Sequence, residues 1–206
     1  GILAAQRNAR PAVLKVARAD GPEGYCDNWH KHGWWDKEVT ALMALDTTGA
    51  AIFTLVNWTC HAEFLGERNT LLSADFPYYL YERLEASGGG VAVFANGALG
   101  GLVTAIIDFE RKSLPVKFRR RIARSVGYDL ADIALAALLT QGQTIPNPTV
   151  FHRAMVLDLP VDNWRFHRFL SVGVAARPLY RYGTDKTHPN RLWIRTELHR
   201  IQIGPL

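Results

Sequence analysis

Residues 51–103 constrain the fold more than any other stretch, because they read as strand, helix and strand in immediate succession. Residues 51–59 (AIFTLVNWT) are a continuous run of apolar and β-forming residues, the pattern of a strand covered on both faces. Asp75 is the expected N-cap of a helix over 76–86, with Pro77 inside its first turn and Gly88, Gly89 and Gly90 ending it. Residues 90–95 (GVAVFA) are predicted as a second buried strand, followed by the glycine-rich turn 96–101 (NGALGG), where backbone can approach a ligand closely. In open α/β sheets ligands bind beyond the carboxyl ends of the strands. His61, just past the first strand, and the turn past the second are therefore expected to face one pocket.

The flanking sequence is compatible with the same kind of domain. Residues 1–8 read as the last turns of a helix, and 11–18 and 39–46 as strands, the second joined to 51–59 by the short loop 47–50. The segment 20–38, with Trp29, His30, His32, Trp34 and Trp35, reads as a long turn-rich loop whose aromatic residues could line a substrate entrance. His30 and His32 would point to opposite sides of an extended chain, a poor arrangement for binding one metal. Ile122, Val126, Leu130, Ile133 and Ala137 recur at helical spacing and predict a helix over 119–141, stopped by Gly142. Residues 143–149 read as a connector, 149–159 as a strand, 161–176 as a helix or a packed irregular segment, 177–190 as a loop, and 191–203 as a long strand with one wet face. The fold class is α/β, a mixed sheet with flanking helices, with 1–206 forming one incomplete domain of a larger whole.

Charge and cysteine content narrow the function classes. A net charge of +5 raises a nucleic-acid reading, but the positive charge is local: Arg111, Lys112, Lys117, Arg119, Arg120, Arg121 and Arg124. No nucleic-acid motif accompanies it, so the cluster is read as the solvated face of a helix entry, with a basic interaction protein as an alternative function. Cys26 and Cys60 are too few for a disulfide framework and are either two buried thiols or one bridge. On residue chemistry alone, His61 is either a hydrogen-bonded, partly buried histidine or a metal ligand, and catalytic zinc needs three protein ligands.

Three motifs carry a resemblance in order and spacing: Asn57-Trp58-Thr59-Cys60-His61, Leu72-Ser73-Ala74-Asp75-Phe76-Pro77, and Val93-Phe94-Ala95-Asn96-Gly97-Ala98-Leu99-Gly100-Gly101. With them the chain resembles the neutral (non-lysosomal) ceramidases and their bacterial relatives. The resemblance implies zinc held in part by His61, and hydrolysis of a lipid-like amide, ceramide, to a sphingoid base and a fatty acid. It places Asp75 in the loop after His61, where it could fix the imidazole as a supporting partner or instead cap the helix. It makes Asn96 and Thr104 the candidate catalytic residues, and the backbone of Gly97, Gly100 and Gly101 a candidate substrate or oxyanion contact. It implies the remaining zinc ligands elsewhere, a secreted or cell-envelope location, and no nucleic-acid partner; association with a membrane surface would suit such a hydrolase.

Two departures qualify it. Val103 stands where the family carries a serine beside the zinc, and Thr104 falls one residue late. A catalytically degenerate relative, acting as a binding module or on a different amide or ester, is thus a second reading. The family's upstream histidine segment and downstream Pro-Gly-Glu motif are missing from the sequence, so the chain is expected to be the middle of a longer domain.

Overall fold

The computed structural model describes residues 1–100, 102–107, 114–145, 148–174, 180–181 and 192–204. They form two units, Gly1–Asn147 and Pro148–Leu206.

The first unit begins with a short exposed helix, α1 (Ile2–Arg7), and the strand β1 (Val13–Asp20). β2 (Cys26–Asn28) follows inside the segment expected to be a loop. Backbone pairing with a later strand decides this, and no local pattern over three residues could have announced it. Next come β3 (Glu38–Leu45), β4 (Ala51–Trp58), α2 (Phe76–Ala86), β5 (Val91–Asn96) and β6 (Val103–Ala105). The predicted strand, helix and strand are therefore present, and β4 and β5 pair in parallel from Phe53 with Val91 to Trp58 with Asn96. The helix α3 (Val116–Thr140) starts three residues before the predicted boundary, capped by Pro115, which cannot continue a helix backwards. After it, β7 (Gln143–Ile145) pairs antiparallel with β1 where a connector was expected.

The main sheet has the order β5-β4-β3-β1-β7 and is mixed, with β4–β5 its parallel pair; β2 and β6 form a separate two-stranded ribbon. The fold class read from the sequence, mixed sheet with flanking helices, is the observed one. One face of the sheet, including Ala17, Val39, Ala41, Val56 and Trp58, packs against α2 and α3 in a single core. α3 presents small residues to that core, and at Gly127 a Cβ would sit 2.5 Å from the carbonyl oxygen of Phe76, so the two helices touch backbone to backbone. Phe76 is fully buried and meets Trp58, Phe64 and Phe94 edge to face at 5.1–5.7 Å.

The expectation that both strands are covered on both faces is corrected. β5 is an edge strand with Val91 and Val93 exposed, and β4 is fully buried only at Thr54, Val56 and Trp58. Their residues are apolar on both sides, but helices cover one side among the described residues.

The second unit pairs β8 (Val150–Val161) with β10 (Leu192–Ile203) in one antiparallel ladder, joined at its edge by β9 (Tyr180–Arg181). The ambiguous stretch is resolved as α4 (Trp164–Ser171), N-capped by Asn163. β9 corrects the loop reading at its two positions, while the rest of 177–190 lies outside the described residues. β10 is exposed along its middle on both faces, not on one.

Candidate functional site

The site is built where β4 and β5 end. Beyond Trp58 the chain turns, and Thr59 becomes the anchor of the glycine turn: its Oγ1 accepts from the Ala98 N–H at 3.1 Å, while the Gly97 N–H donates to the Trp58 carbonyl at 3.0 Å. A Cβ on Gly97 would lie 2.2 Å from Thr59 Oγ1, so the turn needs glycine there to close. The turn then reverses through Leu102, which adopts a left-handed φ of 56°. β6 follows and is tied on two sides, by its ladder with β2 and by the His61 N–H donating to the Val103 carbonyl at 2.9 Å.

This arrangement brings Thr104 and the residues after His61 together. Thr104 donates its hydroxyl to Glu63 Oε1, and both line a cavity of about 640 Å³ with Trp29, Leu65, Asp75 and Arg119. Val103, one residue earlier on an alternating strand, is buried in the core cluster. Thr104 brings its hydroxyl to the cavity, which Ser73 also lines.

Asp75 closes the back of this space. It is 4% exposed and has a left-handed φ of 60°, a strained conformation held by its own hydrogen bonds. One carboxylate oxygen accepts from the Phe76 N–H and the other from the Leu65 N–H, both at 2.8 Å. Asp75 is thus the N-cap of α2 and ties the loop after His61 to that helix. Burial pushes its carboxyl above the usual range, opposed by those backbone donors.

Arg119 corrects the reading of the basic cluster as wholly solvated. It is 5% exposed, donates to the Phe64 carbonyl at 3.2 Å, and packs so closely on Gly66 that a Cβ there would lie 2.7 Å from its guanidinium. Lys117, Arg120, Arg121 and Arg124 are exposed as expected, and Arg111 and Lys112 lie outside the described residues.

His61 is half-buried beside the cavity, and its immediate successors Ala62 and Glu63 line it. Asn96 is exposed at the end of β5, opposite Trp58, and Gly100 is exposed in open space. Gly101 lies outside the described residues. His30 and His32 are exposed, His32 beside Asp27 at 3.1 Å. Cys26 and Cys60 are two buried free thiols, and burial together with the neighbouring Cys26 pushes the Cys60 thiol far up. Among the described residues no three His, Cys, Asp or Glu side chains gather as a metal centre.

Sequence reasoning missed Glu63 and gave Arg119 no individual role. Arg119 had a signal, since it shares the helical face of Ala123, Val126 and Leu130. Glu63 had none, because a loop has no periodicity to violate.

The fold is α/β, with a cavity beyond the carboxyl end of β4 where the buried Thr104 hydroxyl meets the Glu63 carboxylate. The chain shares its fold with the crystal structure of neutral ceramidase from Pseudomonas aeruginosa: TM-score 0.64 and 18% identity, over 78% of this chain and 28% of that one. A ceramidase complexed with C2 is similar to the same degree, with TM-score 0.62 and 17% identity over 76% and 27% of the two chains. The chain therefore spans less than a third of the length of these structures. No family model matches the sequence, and no curated protein does.

Proposed function

We propose that the protein hydrolyses a lipid-like amide of the ceramide type, in the cavity that Thr104, Glu63 and Asp75 line. The observation that carries this reading is the position of Thr104, which brings a buried hydroxyl to the strand-end cavity; the resemblance assigns the family serine to the preceding position, Val103. The likeness of fold to neutral ceramidases supports it, as does the wall of Trp29, Leu65 and Leu102 beside the polar groups, which suits an acyl chain next to an amide. Asp75 and Arg119 hold the loop that forms the cavity floor, through Leu65, Phe64 and Gly66. Gly97 and Gly100 shape the turn that carries the chain from Asn96 to Thr104.

Zinc belongs to the proposal through His61. The described residues do not by themselves complete a catalytic zinc site, which takes three protein ligands. The remaining ligands are proposed to lie outside the described residues. Among the described residues no helix is long and apolar enough to cross a membrane, and contact with a lipid surface is proposed only as the route by which such a substrate arrives.

Metal analysis of the full-length protein tests the zinc part. Stoichiometric zinc is expected, lost on His61→Ala while the fold is kept; unchanged zinc in that variant would remove His61 from the proposal.

A further inference from the structure

We infer that Glu63 sets the direction of the Thr104 hydroxyl, so that the cavity reads a hydrogen-bond donor on its ligand and favours an N-acyl amide over the matching ester. The inference rests on reading this cavity as the substrate site.

A threonine hydroxyl has one hydrogen to give and two lone pairs to receive. At Thr104 the hydrogen is given to Glu63 Oε1, which leaves only lone pairs for a ligand. The side chain has little freedom to reorganise: Thr104 is 5% exposed, lies between buried Val103 and Ala105, and pairs with Asp27 of β2. The His61 N–H to Val103 carbonyl bond fixes the backbone on the other side, and the same bond sets Glu63 two residues further along.

The buried polar groups around Thr104 are engaged elsewhere, while Glu67 and Arg68 line the exposed rim. Both Asp75 oxygens receive backbone N–H groups, Ser73 Oγ receives the Asp75 N–H, and Arg119 donates to the Phe64 carbonyl. A secondary amide can place its N–H on the free side of Thr104 Oγ1. An ester presents an oxygen there, so two acceptors face each other and the hydrogen bond that the amide makes is lost. Glu63 is exposed at the cavity mouth and acts through Thr104, as a positioning residue.

The test uses a matched pair, N-hexanoylethanolamine and the monohexanoate ester of ethylene glycol, which differ by N–H against O. Dissociation constants, or KM and kcat where turnover occurs, are measured for both on the full-length protein. The wild type is expected to bind the amide about tenfold more tightly, the size of one hydrogen bond. Thr104→Val and Glu63→Ala should bring the ratio to about one, while Thr104→Ser and Glu63→Asp keep it and show that the site still folds. Loss of packing alone would weaken both ligands together and leave the ratio unmoved. Equal binding of the two by the wild type, a preference that survives Thr104→Val, or no binding of either at millimolar concentration overturns the inference. Hydrolysis of both at equal efficiency would overturn it and leave the hydrolase reading standing; a preference without any hydrolysis would do the reverse.

Discussion

The main sheet carries two apolar faces with different fates. On one, the row Ala17, Ala41, Val56 and Phe94 runs across β1, β3, β4 and β5 beneath α2 and α3. On the other, the row Val16, Leu42, Leu55 and Val93 crosses the same strands, and exposure climbs from 4–8% at Leu42 and Val16 to 41% at Val93. Composition barely distinguishes the rows. Long-range packing does, because the helices that cover the first face come from segments far away in sequence. Apolarity on both sides of a strand thus reports what a strand can bury, and the structure reports what it does bury.

The largest effect should come from the covered face. Phe76→Ala removes the ring that joins Trp58, Phe64 and Phe94, and should cost about 3–5 kcal/mol in denaturant unfolding. Next is Gly127→Ala, expected to cost about 1–3 kcal/mol because its methyl meets the backbone of α2. Leu55→Ala on the second face, where the side chain is only half-buried, should cost about 1 kcal/mol. Val93→Thr should move stability by less than about 0.5 kcal/mol. A cost for Leu55→Ala as large as that for Phe76→Ala would show that the second face is covered at Leu55 in solution as it is at Val16 and Leu42.

A pH experiment probes the rim of the covered side. Tyr25 donates to Asp129 on α3 at 2.6 Å, and burial with that carboxylate raises its pKa to about 12. The folded state then holds a proton that the unfolded state releases near pH 10, so stability should fall between about pH 10 and 12. In Tyr25→Phe this segment of the stability profile should be flatter. For Asp75 the raised carboxyl works the same way at acid pH: its contribution is present below the unfolded value and lost as pH rises through the folded one.

Much of the central unit was legible in the sequence. Continuous β-forming residues, the Asp75 cap, Pro77 and the glycines announced β4, α2 and β5, since each signal is local and each has a backbone cause. β2, β6 and β7 could not be read, because three-residue strands exist only through their partners. The site was half legible. Asp75 stands in a motif with a recognisable order and Thr104 follows another closely, whereas Glu63 joins them only because the His61 N–H docks on Val103. The N-cap reading of Asp75 is the one its hydrogen bonds show, since both oxygens are filled by backbone N–H groups.

The proposed role of Thr104, the hydroxyl of a lipid-amide hydrolase site, is tested most directly by fatty-acid release from a short-chain fluorescent ceramide by the full-length protein. Release by the wild type and by Thr104→Ser is predicted, with kcat/KM lowered about tenfold in Thr104→Val, the size of one hydrogen bond to the substrate N–H. Turnover in Thr104→Val at the wild-type rate, or no release by the wild type, would contradict it.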